Sequence, residues 1–469
     1  MSSVHSTPSK SSSAVQDRAP TVAIVGGGLA GLGAACALSE SGFRVSLFER
    51  RPYLGGRASS YEHLGTGEVV DNCQHVLFGL CTNLIEFYKR IGIEEKIRWF
   101  DRMTFIEPGG RRSVLKPSFL PAPLQLTPSF LGFKFLNAWD KIVLSRALAV
   151  LITSQAKDDG TSFQEWLHRH RQTHNAIERF WKPILVSALS EDMDRIAVPY
   201  AAQVNAARDH ITAHGGTVRL RNSVQAFRPT KNGARLKLQD SEEDFDYAVL
   251  AVPFDSLAKL LPDSAESGKL REKLSHFETS PITGVHLWFD RQITDLPHAV
   301  LLDRTIQWMF HKSMLLEKAS GPVLKSSENG SGEIEPRPSY VELVISSSKS
   351  LVEKSRQEII DLALSEVHEF FPGARDAHLV KATVIKEVNA TFSPMPGIDA
   401  YRPQSQSAWP HIFLAGDWTA TGWPATMEGA VRSGYIAAAE ISKRAGAARS
   451  FIAPDLPSAG LMRIFGCTG

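Results

Sequence analysis

The sequence predicts an α/β (α+β) fold, and three observations predict it. An apolar run at 21–25 leads into Gly26-Gly27-Gly28-Leu29-Ala30-Gly31. A second glycine motif, Ala415-Gly416-Asp417-Trp418, lies about 390 residues further on. Between them the chain alternates strand-like and helix-like patterns, and its 469 residues suffice for two or three domains. The expectation is a Rossmann-type nucleotide-binding domain, gathered from separated parts of the chain and interleaved with a second domain of mixed sheet and helices.

Residues 1–20 are rich in serine and lack the apolar core of a signal peptide, so a disordered tail is expected there. Next come a strand at 21–25, a glycine turn and a helix opening at Leu29, with a second strand at 45–48 that runs into Glu49. Gly26 permits the tight turn, and Gly28 admits a pyrophosphate close to the backbone. Leu29 and Ala30 open a helix whose unpaired N–H groups suit an anion, and Gly31 lets that helix pack on the strand. Glu49 stands 18 residues beyond Gly31, where an acid accepts from ribose hydroxyls.

In the middle of the chain, 101–205 reads as helical and 276–400 as a second sheet region, with a Ser/Gly/Glu/Pro-rich loop at 318–339. Strands are expected at 218–220, 234–238 and 247–252, in the part 206–275 that returns to the nucleotide-binding domain. The buried run 247–252 ends at Pro253 and places Val252 at the cofactor. Residues 280–289 alternate as a sheet facing a pocket on one side. Aromatic material for a long dry pocket is offered by Phe119, the run 130–135, Trp166, Phe180-Trp181 and Trp288-Phe289, with ordinary core as the alternative for each.

The last strand is expected at 411–415, followed by the turn at Gly416-Asp417 and a helix at 427–439. Asp417 is placed to accept from a ribityl hydroxyl. The helix start near Thr426 and Met427 is placed to aim N–H groups at the ring of a flavin, with Trp423 and Pro424 shaping the pocket. Both ends of the chain thus build one cofactor site, in domain parts 21–100, 206–275 and 401–445. The tail 446–469 reads as docked or frayed.

Charge and cysteine content narrow the setting. Lys plus Arg number 52 against 50 Asp plus Glu, a formal charge of +2 without long single-sign blocks, so nucleic acid is not an expected partner. Cys36, Cys73, Cys81 and Cys467 lack metal-ligand spacing, and no metal site is expected. A reducing, cytoplasmic setting is expected. No run of 18 apolar residues occurs, so contact with a membrane is expected to be peripheral, on its inner face.

After Glu49-Arg50 the chain continues to Gly55-Gly56-Arg57. This resembles the second signature of the flavin-containing amine oxidase and phytoene desaturase superfamily. The resemblance implies FAD, with Arg50, Gly56 and Arg57 at the cofactor and Arg57 as a fixed cation near the pyrophosphate or the ring. Residues 71–75 (DNCQH), 180–189, 280–289 and 414–434 further resemble the hydroxysqualene dehydroxylases of hopanoid biosynthesis, over about 22–442. That branch implies a long apolar isoprenoid substrate, reduction of hydroxysqualene to squalene by reduced flavin, and NADPH or a reductase partner as electron donor.

Such a reaction needs an acid to release the hydroxyl. Asp71 and His75 are the first candidates, followed by Glu191, Asp192 and Asp194. Many amine oxidases carry a lysine on the strand that enters the pocket, where this chain has Gly284. Carotenoid-type desaturation and amine oxidation are the alternatives. A third is a flavin protein inactivated by a stretch, 197–205, that is shorter than in the resembled relatives. A lipid substrate also predicts transient membrane-surface contact through an apolar lip.

Overall fold

The computed structural model describes residues 18–63, 68–71, 76–122, 124–153, 162–183, 200–315 and 338–457. The expected N-terminal tail and the 318–339 loop fall almost entirely outside them, as do the end of the C-terminal tail and 197–199.

A five-stranded parallel sheet runs in the order Ile412–Leu414, Tyr247–Leu250, Thr21–Val25, Arg44–Phe48 and Thr217–Arg219. Its strands come from three widely separated stretches of chain. Thr21–Val25 sits at the centre and is buried at every position, as a parallel strand covered on both faces must be. Helix Leu29–Glu40 packs against helix Met427–Arg444, and small residues on both let the backbones close up. At Gly434 a Cβ would lie 2.2 Å from the Ala30 carbonyl oxygen, so the first and last helices seat only with glycine there.

A seven-stranded mixed sheet forms the second layer, in the order Leu379–Phe392, Thr279–Phe289, Ser339–Ile345, Trp308–His311, His298–Leu301, Met103–Ile106 and Arg112–Leu115. The period of two along Thr279–Phe289 splits its side chains between two environments. Val285, Leu287 and Phe289 join Val341 and Leu343 under helix Arg356–Phe370, where Ile359, Ala363 and Val367 are fully buried. On the other face Trp308, Phe310 and Val344 join Phe105, Phe133, Phe135, Phe180 and Trp181 in an aromatic cluster. A three-stranded antiparallel sheet, Ala226–Thr230, Gly233–Lys237 and Glu242–Phe245, flanks the nucleotide sheet.

The stretch 101–205 differs from its helical expectation. It supplies Met103–Ile106 and Arg112–Leu115, joined as a hairpin, before helices Thr127–Leu131 and Ala138–Thr153 begin. Four-residue strands are too short to show against a helical window, and their signal is the turn, where Gly109 and Gly110 take positive φ. Tyr200–Ala213, spanning most of the shortened region, is helical.

Candidate functional site

Parallel strands all end on the same edge of a sheet, and loops beyond that edge converge. Here Val25, Phe48, Leu250 and Leu414 lead into Gly26, Glu49, Ala251 and Ala415-Gly416, at the mouth of a cavity of about 490 Å³. Its opposite wall is the inner face of the seven-stranded sheet, through Ile282, Trp308, Phe310 and Val344. Of the residues expected at the cofactor, Gly26, Gly28, Leu29, Ala30, Glu49, Arg50, Gly56, Arg57, Val252, Gly416, Asp417, Thr426 and Met427 all line the cavity. Gly31 lies behind it: a Cβ there would meet the Gly26 carbonyl oxygen at 1.9 Å, so glycine is what lets the helix leave the turn.

The fit to a dinucleotide is local and physical. Beside Gly28 no atom comes nearer than 4.0 Å to where a Cβ would stand, so an anion can approach the backbone. The Glu49 carboxylate is buried and fixed by two backbone donors, Gly27 N–H at 2.8 Å and Arg51 N–H at 2.8 Å. Each carboxylate oxygen keeps a further lone pair for a hydroxyl. Thr426 caps the last helix by accepting from Gly429 N–H at 3.0 Å, and the first turn of that helix faces the cavity.

Arg57 and Asp417 join the two flavin motifs. Their side chains form a 2.7 Å ion pair, and Arg57 also donates to the Ala390 carbonyl at 2.7 Å. Burial pulls the guanidinium pKa down, but the Asp417 carboxylate more than offsets it, so the net direction is upward. Behind Asp417, buried Arg402 donates to the carbonyls of Asp417 at 3.0 Å, Thr419 at 2.6 Å and Trp423 at 2.6 Å, which fixes the loop. Sequence reasoning missed Arg402, because its partners are backbone carbonyls that no motif displays.

Other expectations are corrected. Trp423 does not line the cavity; its ring stacks under Arg432 at 5.1 Å. Phe119 points outward and is 96% exposed, Trp288 stacks on Tyr340 at 4.4 Å, and Phe289 belongs to the opposite face of the sheet. Phe133, Phe135, Phe180 and Trp181 stand behind the cavity wall, not in it. Sequence reasoning missed Val76, Trp308, Phe310 and Val344, which make that wall.

Asp71 is not placed as an acid. Its carboxylate pairs with Lys312 and accepts from the Ser60 hydroxyl at 2.5 Å, and it does not line the cavity. Lys312 also lies 3.3 Å from Glu342; burial pulls its pKa down, but the two carboxylates raise it overall. This buried lysine escaped sequence reasoning, which looked instead at Gly284. Gly284 does face the inner side of the sheet, where a Cβ would stand 3.5 Å from His286 Nε2 and 3.9 Å from Glu342 Oε1. His75, Glu191, Asp192 and Asp194 lie outside the described residues.

Comparison with known proteins agrees with this geometry. The profile of the family described as flavin containing amine oxidoreductase matches residues 29–442. The chain is 28% identical to 15-cis-phytoene desaturase of Synechococcus elongatus, over 90% of this chain and 96% of that protein. It is 26% identical to the chloroplastic/chromoplastic zeta-carotene desaturase of Zea mays, over 90% and 83% respectively. In fold it resembles cyclohexylamine oxidase from Brevibacterium oxydans, with a TM-score of 0.61, 16% identity, and coverage of 91% of this chain and all of that one (100%). The chain therefore belongs to the flavin-containing amine oxidoreductase family, as an FAD-dependent oxidoreductase homologous to carotenoid desaturases.

Proposed function

We propose that the protein dehydrogenates a long, apolar isoprenoid, introducing a carbon–carbon double bond as carotenoid desaturases do. The observation that carries this reading is the apolar wall facing the nucleotide edge, made by Val76, Ile282, Trp308, Phe310 and Val344. Such a wall suits a hydrocarbon, and Glu387 is the acid that the mixed sheet adds to the cavity lining. The full-length similarity to phytoene and zeta-carotene desaturases supports the same substrate class.

When bound, FAD supplies a two-electron hydride acceptor. The chain's own residues bind it, orient it and keep water from the reacting carbons. Arg57 and Asp417 set a fixed ion pair at the cavity, and Glu49 and the two helix starts would hold the nucleotide. The aromatic wall aligns an extended chain and excludes water.

Reductive removal of a hydroxyl from hydroxysqualene has less support than desaturation. Of the acids considered for that reaction, Asp71 is paired with Lys312 and does not line the cavity. The two sequence relatives above are named for desaturation. The deciding experiment incubates FAD-loaded protein with 15-cis-phytoene and an artificial electron-acceptor dye, and in parallel with hydroxysqualene under reducing, anaerobic conditions. Desaturated product in the first supports the proposal. Squalene in the second, with phytoene untouched, refutes it.

A further inference from the structure

Three carboxylates line the cavity among the described residues, and two of them belong to its nucleotide side. Glu49 is fixed by the N–H groups of Gly27 and Arg51, and Asp417 is paired with Arg57. The third, Glu387, stands on the opposite wall with Ile282, Trp308, Phe310 and Val344. No His, Cys or Tyr lines the cavity among the described residues. On the wall that a hydrocarbon would touch, Glu387 is therefore the side chain whose chemistry is proton exchange.

A break in strand pairing puts it there. Glu387 lies opposite Ile282 and Thr391 opposite Ser280, where strand Leu379–Phe392 runs beside Thr279–Phe289. Only Pro281 intervenes on one strand, whereas Val388, Asn389 and Ala390 intervene on the other, so the edge strand bulges. A regular strand turns residues 387 and 390 to opposite faces. Here Glu387, Ala390 and Thr391 all line the cavity, because a bulge re-aims the side chains beside it. The bulge is held from both sides: Arg57 Nη1 donates to the Ala390 carbonyl at 2.7 Å, and Thr279 Oγ1 donates to Asn389 Oδ1 at 3.1 Å. Lys386 points the other way and donates to the Val352 carbonyl at 2.8 Å, which leaves the next side chain, Glu387, facing inward. Arg57 thus ties the cofactor motifs to the bulge that carries the acid.

We propose that Glu387 is the catalytic group that exchanges a proton with the substrate. In the dehydrogenation, on which this assignment rests, one C–H bond of the hydrocarbon breaks with its electron pair, and hydride passes to the oxidised flavin, which is reduced. The neighbouring C–H bond gives its proton to a Glu387 carboxylate oxygen, and its electron pair becomes the second bond of the alkene. The acid then releases that proton to solvent. An anion here also stabilises the positive charge that builds on carbon as hydride leaves.

The test compares wild type, E387Q and E387D, each FAD-loaded, with 15-cis-phytoene under anaerobic conditions, counting new double bonds per bound flavin. Glutamine keeps the shape and removes the base. E387Q is expected to form product at least roughly 100-fold more slowly with the half-saturating phytoene concentration unchanged, and E387D to recover part of the loss. The visible flavin absorbance of each variant reports that the cofactor site is intact, and counting per bound flavin keeps a partly loaded variant readable. E387Q at the wild-type rate overturns the assignment and leaves desaturation standing, as does a loss that lies wholly in the half-saturating concentration. Wild type that leaves phytoene untouched, yet forms squalene from hydroxysqualene after chemical reduction, overturns desaturation instead. The same carboxyl group must then give the proton with which hydroxyl departs as water, and E387Q must lose squalene formation to the same extent. Squalene formed by E387Q at the wild-type rate overturns the assignment in that case too.

Discussion

At the scale of single residues the cofactor half of the site is legible where its chemistry is local. Gly31 and Glu49 are fixed by spacing within one strand–turn–helix unit, and the structure sets both where that unit requires. The Arg57–Asp417 pair spans 360 residues, and each partner was visible only as part of its own motif. A charge-assisted hydrogen bond of this kind contributes about 1.5–3 kcal/mol, so Asp417→Ala should weaken FAD binding by roughly 10- to 100-fold. If the two act as a unit, Arg57→Ala/Asp417→Ala should lose less than the sum of the single losses in a fluorescence titration with FAD. Lys312 was not legible, because Asp71 lies 241 residues before it and nothing local marks the pairing. His311, next to it, makes a separate prediction. Burial pushes its imidazole down to about 4 from an ordinary 6.5, and Met314 N–H donates to Nδ1 at 3.2 Å, which protonation there would break. A depressed folded pKa contributes stability that is complete above 6.5 and is lost as pH falls toward 4. Urea unfolding of wild type and His311→Asn should differ at neutral pH by on the order of 3 kcal/mol more than near pH 4. A difference independent of pH would contradict this.

At the scale of elements, the nucleotide layer was readable from its buried apolar strands and from the glycine turn that opens the first helix. Helix Leu29–Glu40 begins at the expected residue, and strand Tyr247–Leu250 sits where the apolar run before Pro253 placed it. The strands Met103–Ile106 and Arg112–Leu115 were not readable as sheet. Four residues carry too little periodicity, and the strand that joins Met103–Ile106 to the sheet, His298–Leu301, is nearly 200 residues away. The joint between the first strand and first helix gives the element-scale prediction. Gly31→Val places a side chain against the Gly26 carbonyl, where even a Cβ would lie at 1.9 Å. The helix must then shift off the strand, and the purified variant should carry little or no flavin while far-UV circular dichroism remains near wild type. A yellow, fully loaded variant would show that the turn tolerates what its geometry forbids.

At the scale of the whole molecule, two layers meet edge to face. The nucleotide sheet presents the ends of its parallel strands, and the mixed sheet faces them with Ile282, Trp308, Phe310 and Val344, beside which Ser346, Glu387 and Thr391 add polar groups. The polar half of that meeting is written in three motifs. The apolar half comes from Val76, Ile282, Trp308, Phe310 and Val344, separated in sequence and, apart from Val76, gathered by strand register. This is why the sequence pointed to aromatic runs such as Phe119 and Trp288 that the fold puts elsewhere. The most direct measurement is anaerobic mixing of oxidised, FAD-loaded protein with 15-cis-phytoene, without added acceptor, while the visible absorbance of the flavin is followed. Bleaching of the oxidised flavin, in step with one new double bond per flavin reduced, is the predicted result. A flavin that stays oxidised with phytoene, yet is reoxidised by hydroxysqualene after chemical reduction, would contradict the account.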